Sequence, residues 1–126
     1  MPVPILKQEH FLIASIQDEL SDEELVLLRD QLVNKVRQHR SRAVLIDVTV
    51  LDIMDSFAAR TLRSIAHMTK LLGADTVVVG IQPDVALSMV QLGLTLEGIV
   101  VAMDLEDGLC LLRRREGQRH AAASQQ

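Results

Sequence analysis

The sequence predicts an α/β domain in which helices pack against one mixed β-sheet. Three observations carry that prediction. After an opening hairpin the order strand then helix recurs three times, and parallel neighbours in a sheet need such crossover helices. The run Ala43 to Val48 is apolar almost without interruption, as suits a strand covered on both faces. Between the strands, apolar residues return at spacings of three and four, the period of a helix with one buried face. No linker or internal repeat divides the 126 residues, a length that suits one domain.

The elements follow in order. Pro2 to Leu6 and Phe11 to Ile16 are short apolar stretches around the polar Lys7-Gln8-Glu9-His10, a pattern for two strands and a turn. Ser21 and Glu24 form a capping box that starts a helix, with Leu25, Leu28, Leu32 and Val36 inward, fading near His39. Ala43 to Val48 is the central strand. The pair Asp55-Ser56 offers an N-cap to a second helix, whose inward stripe is Ala58, Leu62, Ile65, Thr69 and Leu72, and Gly73 stands where a left-handed C-cap belongs. Thr76 to Ile81 is another buried strand. Pro83 suits the first turn of a helix to about Gln91, with Gly93 beyond its end, and Ile99 to Ala102 forms a short strand. Asp104, with Asp107 three positions on, opens a last helix that turns Leu105, Leu109 and Leu112 inward. The domain is expected over 1–115. Residues 116–126, ending in Ala121-Ala-Ala-Ser-Gln-Gln126, are expected to be a disordered tail, with Arg113, Arg114 and Arg115 as solvated cations at the helix end.

Composition narrows the chemistry. With no Trp or Tyr, only Phe11 and Phe57, and a net charge of -4, the chain lacks stacking platforms and disfavours a phosphate backbone, so nucleic acid is not expected as a partner. The lone Cys110 forms no internal disulfide and suits the reducing cytoplasm, reading as a small inert side chain rather than a sensor. The N-terminal MPVPILKQEH lacks the features of a signal peptide. Val85 to Met103 is interrupted by Glu97, Gly93 and Gly98, which favours a helix, turn and strand over a membrane span. His10, His39, His67 and His120 are scattered, so neither a metal nor a cofactor is expected. The six glycines read as turn punctuation, and Met54, Met68, Met89 and Met103 mostly as core filler. Asp47, Asp52 and Asp55 crowd the exit of the central strand, where carboxylates also serve helix starts.

Ser56 stands at the loop-to-helix transition after the central strand, where such sheets place their binding sites. Two readings remain open there. The serine is a plain N-cap, or it is a phosphoacceptor whose phosphate meets the positive end of the helix dipole and its unpaired amides.

The order of elements, and above all Ala43-Val-Leu-Ile-Asp-Val-Thr-Val-Leu-Asp-Ile-Met-Asp-Ser-Phe-Ala58, resembles the STAS domain, the family of anti-sigma factor antagonists. The likeness covers nearly the whole chain. Antagonists similar to SpoIIAA continue Asp-Ser-Ser-Gly or Asp-Ser-Thr-Gly, whereas Asp55-Ser56-Phe57 is similar to the RsbS-like members, small single-domain proteins of the stressosome. With the hairpin at the start of the sequence, no sensory domain of the kind that RsbR-like partners carry is expected.

The resemblance implies a non-enzymatic scaffold in a large hetero-oligomer with RsbR-like STAS proteins. It holds an RsbT-like serine/threonine kinase, releases it on phosphorylation, and is reset by an RsbX-like phosphatase. Carried over residue by residue, Ser56 is the acceptor, Asp55 its immediate partner and Asp47 the acidic strand terminus that shapes the loop; Phe57 and Arg60 are expected to face the kinase on adjacency to Ser56 alone. A free SpoIIAA-like antagonist is the alternative, and an enzyme built on the three aspartates or a subunit of a membrane transport complex are the readings from other classes.

Overall fold

The computed structural model describes residues 3–124. Met1, Pro2, Gln125 and Gln126, parts of the expected first strand and tail, lie outside them. Five strands, β1 (Ile5–Gln8), β2 (Phe11–Ser15), β3 (Ala43–Asp47), β4 (Asp75–Val79) and β5 (Val100–Ala102), form one sheet in chain order. The β1–β2 pair is antiparallel and the other three are parallel, so β3 occupies the centre as its unbroken apolarity predicts. Glu9 takes φ 56° in the hairpin turn, where Gln8 pairs directly with Phe11.

Helices α1 (Asp22–His39), α2 (Ser56–Leu71) and α3 (Pro83–Gln91) are the three crossovers. All three step the same way along the sheet, and the right-handed rule for such connections puts them on one face. Their cluster gathers Leu28, Leu32, Leu62 and Ile65 against Leu12, Ala14, Val44, Ile46 and Val78. Helix α4 (Leu105–Ser124) is not a crossover and is free of that rule. It covers the other face, where Leu112 meets Phe11, Ile13, Leu45, Val77 and Val79. Alternate residues of β2, β3 and β4 therefore feed two cores, one on each side.

The caps show why the helices stop where they do. The capping box of α1 is complete, with the Ser21 hydroxyl accepting the Glu24 amide at 3.2 Å and the Glu24 carboxylate accepting the Ser21 amide at 3.0 Å. Its far end is closed by Arg40 at φ 51°, a left-handed residue that is not glycine. Helix α2 ends in a Schellman motif: with Gly73 at φ 88°, the Ala74 amide reaches the Thr69 carbonyl at 2.9 Å and the Gly73 amide that of Lys70 at 3.0 Å. The wholly buried Thr69 hydroxyl lies 2.9 Å from that of Thr76, tying α2 to β4.

Several expectations are corrected here. Leu72 is 44% exposed, because the chain has already left the helix at that point, and Leu105 is 37% exposed because Gly108 holds the contact side of α4. A Cβ on Gly108 would stand 2.8 Å from both Leu45 Cδ1 and Val79 Cγ1, so this glycine serves helix–sheet approach rather than a turn, and Gly117 also lies within α4. Met54 and Met89 are core residues, whereas Met68 and Met103 are exposed. The last helix continues to Ser124 instead of giving way to a tail after Arg115. Arg113 pairs with Glu9 at 3.1 Å, and Arg119 and Arg115 reach Asp75 at 3.0 and 3.6 Å, so Arg113 and Arg115, still partly solvated, carry ion pairs rather than closing a helix end.

Candidate functional site

Parallel strands bring every strand-to-helix loop to one end of the sheet, and the loop from β3 to α2 lies in the middle of that end. It begins at Asp47. One carboxylate oxygen of Asp47 accepts the Thr49 amide at 3.0 Å and the Thr49 hydroxyl at 2.6 Å, folding the chain back as it leaves the strand. Thr49 rests on Gly80 just beyond β4, where φ is 82° and an added Cβ would collide with Thr49 Oγ1. Only glycine leaves room for that crossing.

The loop is anchored and displayed by alternate side chains. Leu51 and Met54 are buried at 5% and 3%, while Val50 and Ile53 are 46% and 68% exposed. Two neighbouring loops hold its backbone. The Asp52 amide donates to Glu19 Oε1 at 2.9 Å, and Gln82 Nε2 donates to the Thr49 carbonyl at 2.7 Å and to Asp52 Oδ1 at 3.3 Å. Beside it lies an open groove of about 390 Å³ with Leu20, Leu25, Leu51 and Ala58 among its apolar lining and Glu19, Asp52 and Asp55 among its acidic lining.

Asp55, not Ser56, caps α2. Its backbone is extended, and its carboxylate accepts the Ala58 amide at 2.8 Å. Ser56 is the first helical residue, exposed to solvent. The plain-cap reading of the serine is thereby corrected: the carboxylate one residue earlier performs that task and leaves the hydroxyl available for other chemistry. The amides of Ser56 and Phe57, first and second in the helix, have no intrahelical acceptor by position, so an anion on Ser56 Oγ would stand at the positive end of the helix dipole.

Arg60, one turn on, places its guanidinium 5.9 Å from the centre of the Phe57 ring and donates from Nε to the Ser56 carbonyl at a long 3.4 Å. Phe57 itself is half-buried against the core. The five residues singled out from sequence, Asp47, Asp55, Ser56, Phe57 and Arg60, thus share one loop and the first turns of one helix. Glu19, Thr49, Gly80 and Gln82 were not legible as members of the site. Gln82 alone carried a signal, since it stands immediately before a helix-opening proline, where a capping Ser, Thr, Asp or Asn is usual.

The three aspartates are engaged structurally, Asp47 by Thr49, Asp52 by Gln82 and Asp55 by Ala58. Among the described residues, no group of three or more His, Cys, Asp or Glu side chains is arranged to hold a metal ion, and no helix is long and apolar enough to cross a membrane.

Comparison with known proteins places this geometry. The chain is 28% identical over 101 residues to the RsbT co-antagonist protein RsbRA of Bacillus subtilis, spanning 80% of this chain but 37% of that one. The co-antagonist RsbRD of the same organism is 28% identical over 94 residues, and this chain spans 34% of its length. Among solved structures, a serine-to-glutamate variant of Moorella thermoacetica RsbS superposes with a TM-score of 0.78 at 31% identity, covering 90% of this chain and 97% of the other. A chain from the molecular architecture of the stressosome superposes at 0.72 with 29% identity, covering 90% and 98%. Residues 3–107 match the STAS domain, and the chain belongs to that family.

Proposed function

We propose that this protein is a phosphorylatable scaffold and switch of a stressosome-type signalling complex, with Ser56 as acceptor. It co-assembles with RsbR-like STAS proteins, retains an RsbT-like serine kinase, and releases it once phosphorylated. An RsbX-like phosphatase restores the starting state. The observation that carries this reading is the division of labour at the start of α2. Asp55 supplies the cap, so Ser56 presents an exposed hydroxyl in the first turn of α2 that is not needed to cap the helix. The likeness to RsbS and to the RsbT co-antagonists supports the choice of assembly and of kinase.

The chemistry belongs to the kinase. The γ-phosphoryl of ATP passes to Ser56 Oγ, the bond to the β-phosphate breaks, ADP departs, and the hydroxyl proton goes to the kinase's base. The STAS chain contributes placement. A phosphate of about -1.5 to -2 charge would stand against the terminal amides of α2 and beside the Asp55 carboxylate, so the surface offered to a partner changes by both attraction and repulsion.

Incubation with the RsbT-like kinase and ATP, followed by intact-mass measurement and peptide mapping, tests the reading. One phosphate at Ser56, absent from folded Ser56→Ala, is expected. Undiminished uptake by Ser56→Ala would overturn the assignment. Mixing with RsbR-like proteins and measuring mass in solution should give a large complex, and separate small species would favour a free SpoIIAA-like antagonist.

A further inference from the structure

Gln82 occupies the N-cap position of α3 yet makes no side-chain cap there. Its amide is spent on the neighbouring loop, at 2.7 Å from the Thr49 carbonyl and 3.3 Å from Asp52 Oδ1. Glu19, from the loop on the opposite side, accepts the Asp52 amide at 2.9 Å. Each contact bridges thirty or more residues of sequence, and together they grip the segment between the strand end at Asp47 and the cap at Asp55 from both flanks. A local turn has no need of such distant partners. Asp47 already closes the turn at Thr49, and Leu51 and Met54 already anchor the loop in the core.

We propose that Gln82 and Glu19 are positioning residues for the modification of Ser56, a two-sided clamp that sets how the loop presents the serine to its kinase. The inference rests on the reading of Ser56 as the acceptor. Phosphoryl transfer depends on in-line placement of the hydroxyl, and a misplacement of about 1 Å at a reacting group can cost on the order of a hundredfold in rate. The two clamp residues differ in kind. Gln82 acts as a donor, so an isosteric side chain without N–H removes its effect. Glu19 acts as an acceptor, so glutamine, which retains an oxygen at the same place, preserves it.

The experiment compares the parent with Gln82→Met, Glu19→Ala and Glu19→Gln, with Gln17→Ala as a control on an exposed residue of the Glu19 loop. Ser56 phosphorylation by the RsbT-like kinase is followed at varied concentrations of the STAS protein, and amide exchange is measured across residues 49–55. Gln82→Met and Glu19→Ala are expected to lower kcat/KM about tenfold and to speed exchange in that segment, while all variants unfold cooperatively near the parent's Tm. Glu19→Gln and Gln17→Ala should match the parent in both readouts. Parent-like rate and exchange in Gln82→Met and Glu19→Ala would overturn the clamp. Phosphate mapped away from Ser56 in the parent would instead overturn the proposed function, and unaltered exchange in the same variants would then remove the clamp on its own account.

Discussion

Helices α2 and α4 lie on opposite faces of the same sheet and are held in opposite ways. Helix α2 buries seven residues, Ala58, Ala59, Thr61, Leu62, Ile65, Ala66 and Thr69, and is closed by the Asp55 cap at one end and the Schellman motif at the other. Helix α4 is longer, but Leu112 is the last of its side chains to be fully buried, and beyond it the helix is fastened to Glu9 and Asp75 through arginines. Apolar burial is not screened by salt, whereas exposed ion pairs are weakened by it. The face that carries Ser56 is thus the constant one, and the second half of α4 responds to its surroundings.

The largest expected effect breaks the stronger side. Ile65 is wholly buried, and Ile65→Ala should destabilise the domain by about 2–5 kcal/mol, seen as a lowered denaturant midpoint with its slope unchanged. A smaller effect separates the two residues that begin α2. Asp55→Ala removes the cap and should cost about 0.5–2 kcal/mol, while Ser56→Ala should stay within about 0.5 kcal/mol of the parent. Equal losses in chemical denaturation would return the cap to the serine.

The smallest global effect concerns Asp75. Burial pushes its carboxyl up, but Lys70 at 2.9 Å, Arg119 and Arg115 more than offset that and hold it below the usual carboxylate range. A carboxyl whose folded pKa is depressed contributes stability above its unfolded pKa of about 3.9, and that contribution is lost as pH falls through the lower folded value. The pairs are partly solvated, so Asp75→Asn should cost less than about 1 kcal/mol globally. Its local effect is larger: amide protection beyond Leu112, relative to the intrinsic exchange rate at each condition, should fall in Asp75→Asn, in the parent at about 1 M salt, where the screening length is about 3 Å, and in the parent below the folded pKa. Protection there that ignored all three changes would show that α4 is held by something other than charge.

The same contrast explains what could be read from sequence. The capping box of Ser21 and Glu24, the proline at the start of α3 and the glycines after α2 and α3 are local signals, and each lies within a few residues of the bond it makes. The unbroken run of β3 located the sheet's centre and hence the end of the sheet where Ser56 stands. Two adjacent residues able to cap, Asp55 and Ser56, could not be ranked by type alone. The extended backbone at Asp55, just after the buried Met54, decides between them. The continuation of α4 was hidden because Asp75, which holds Arg115 and Arg119, is about forty residues distant in the chain. Gly108 looked like punctuation because its reason, the approach of Leu45 and Val79, exists only in three dimensions. The clamp of Glu19 and Gln82 was hidden by the same separation.

The strand order, identical to the chain order, bears on how the domain is made. Every strand pairs with the one before it, so each closure spans at most a single crossover, a local pattern that favours rapid folding over long searches. During synthesis the sheet can grow one strand at a time as the chain emerges, with β3 docking on β2 before β4 exists. The Ser56 loop then matures late. Its Gln82 contact follows β4, and the second face of the sheet waits for α4, which comes after all five strands, so a nascent chain stalled before Leu105 would expose Leu45, Val77 and Val79 to any chaperone at the ribosome exit.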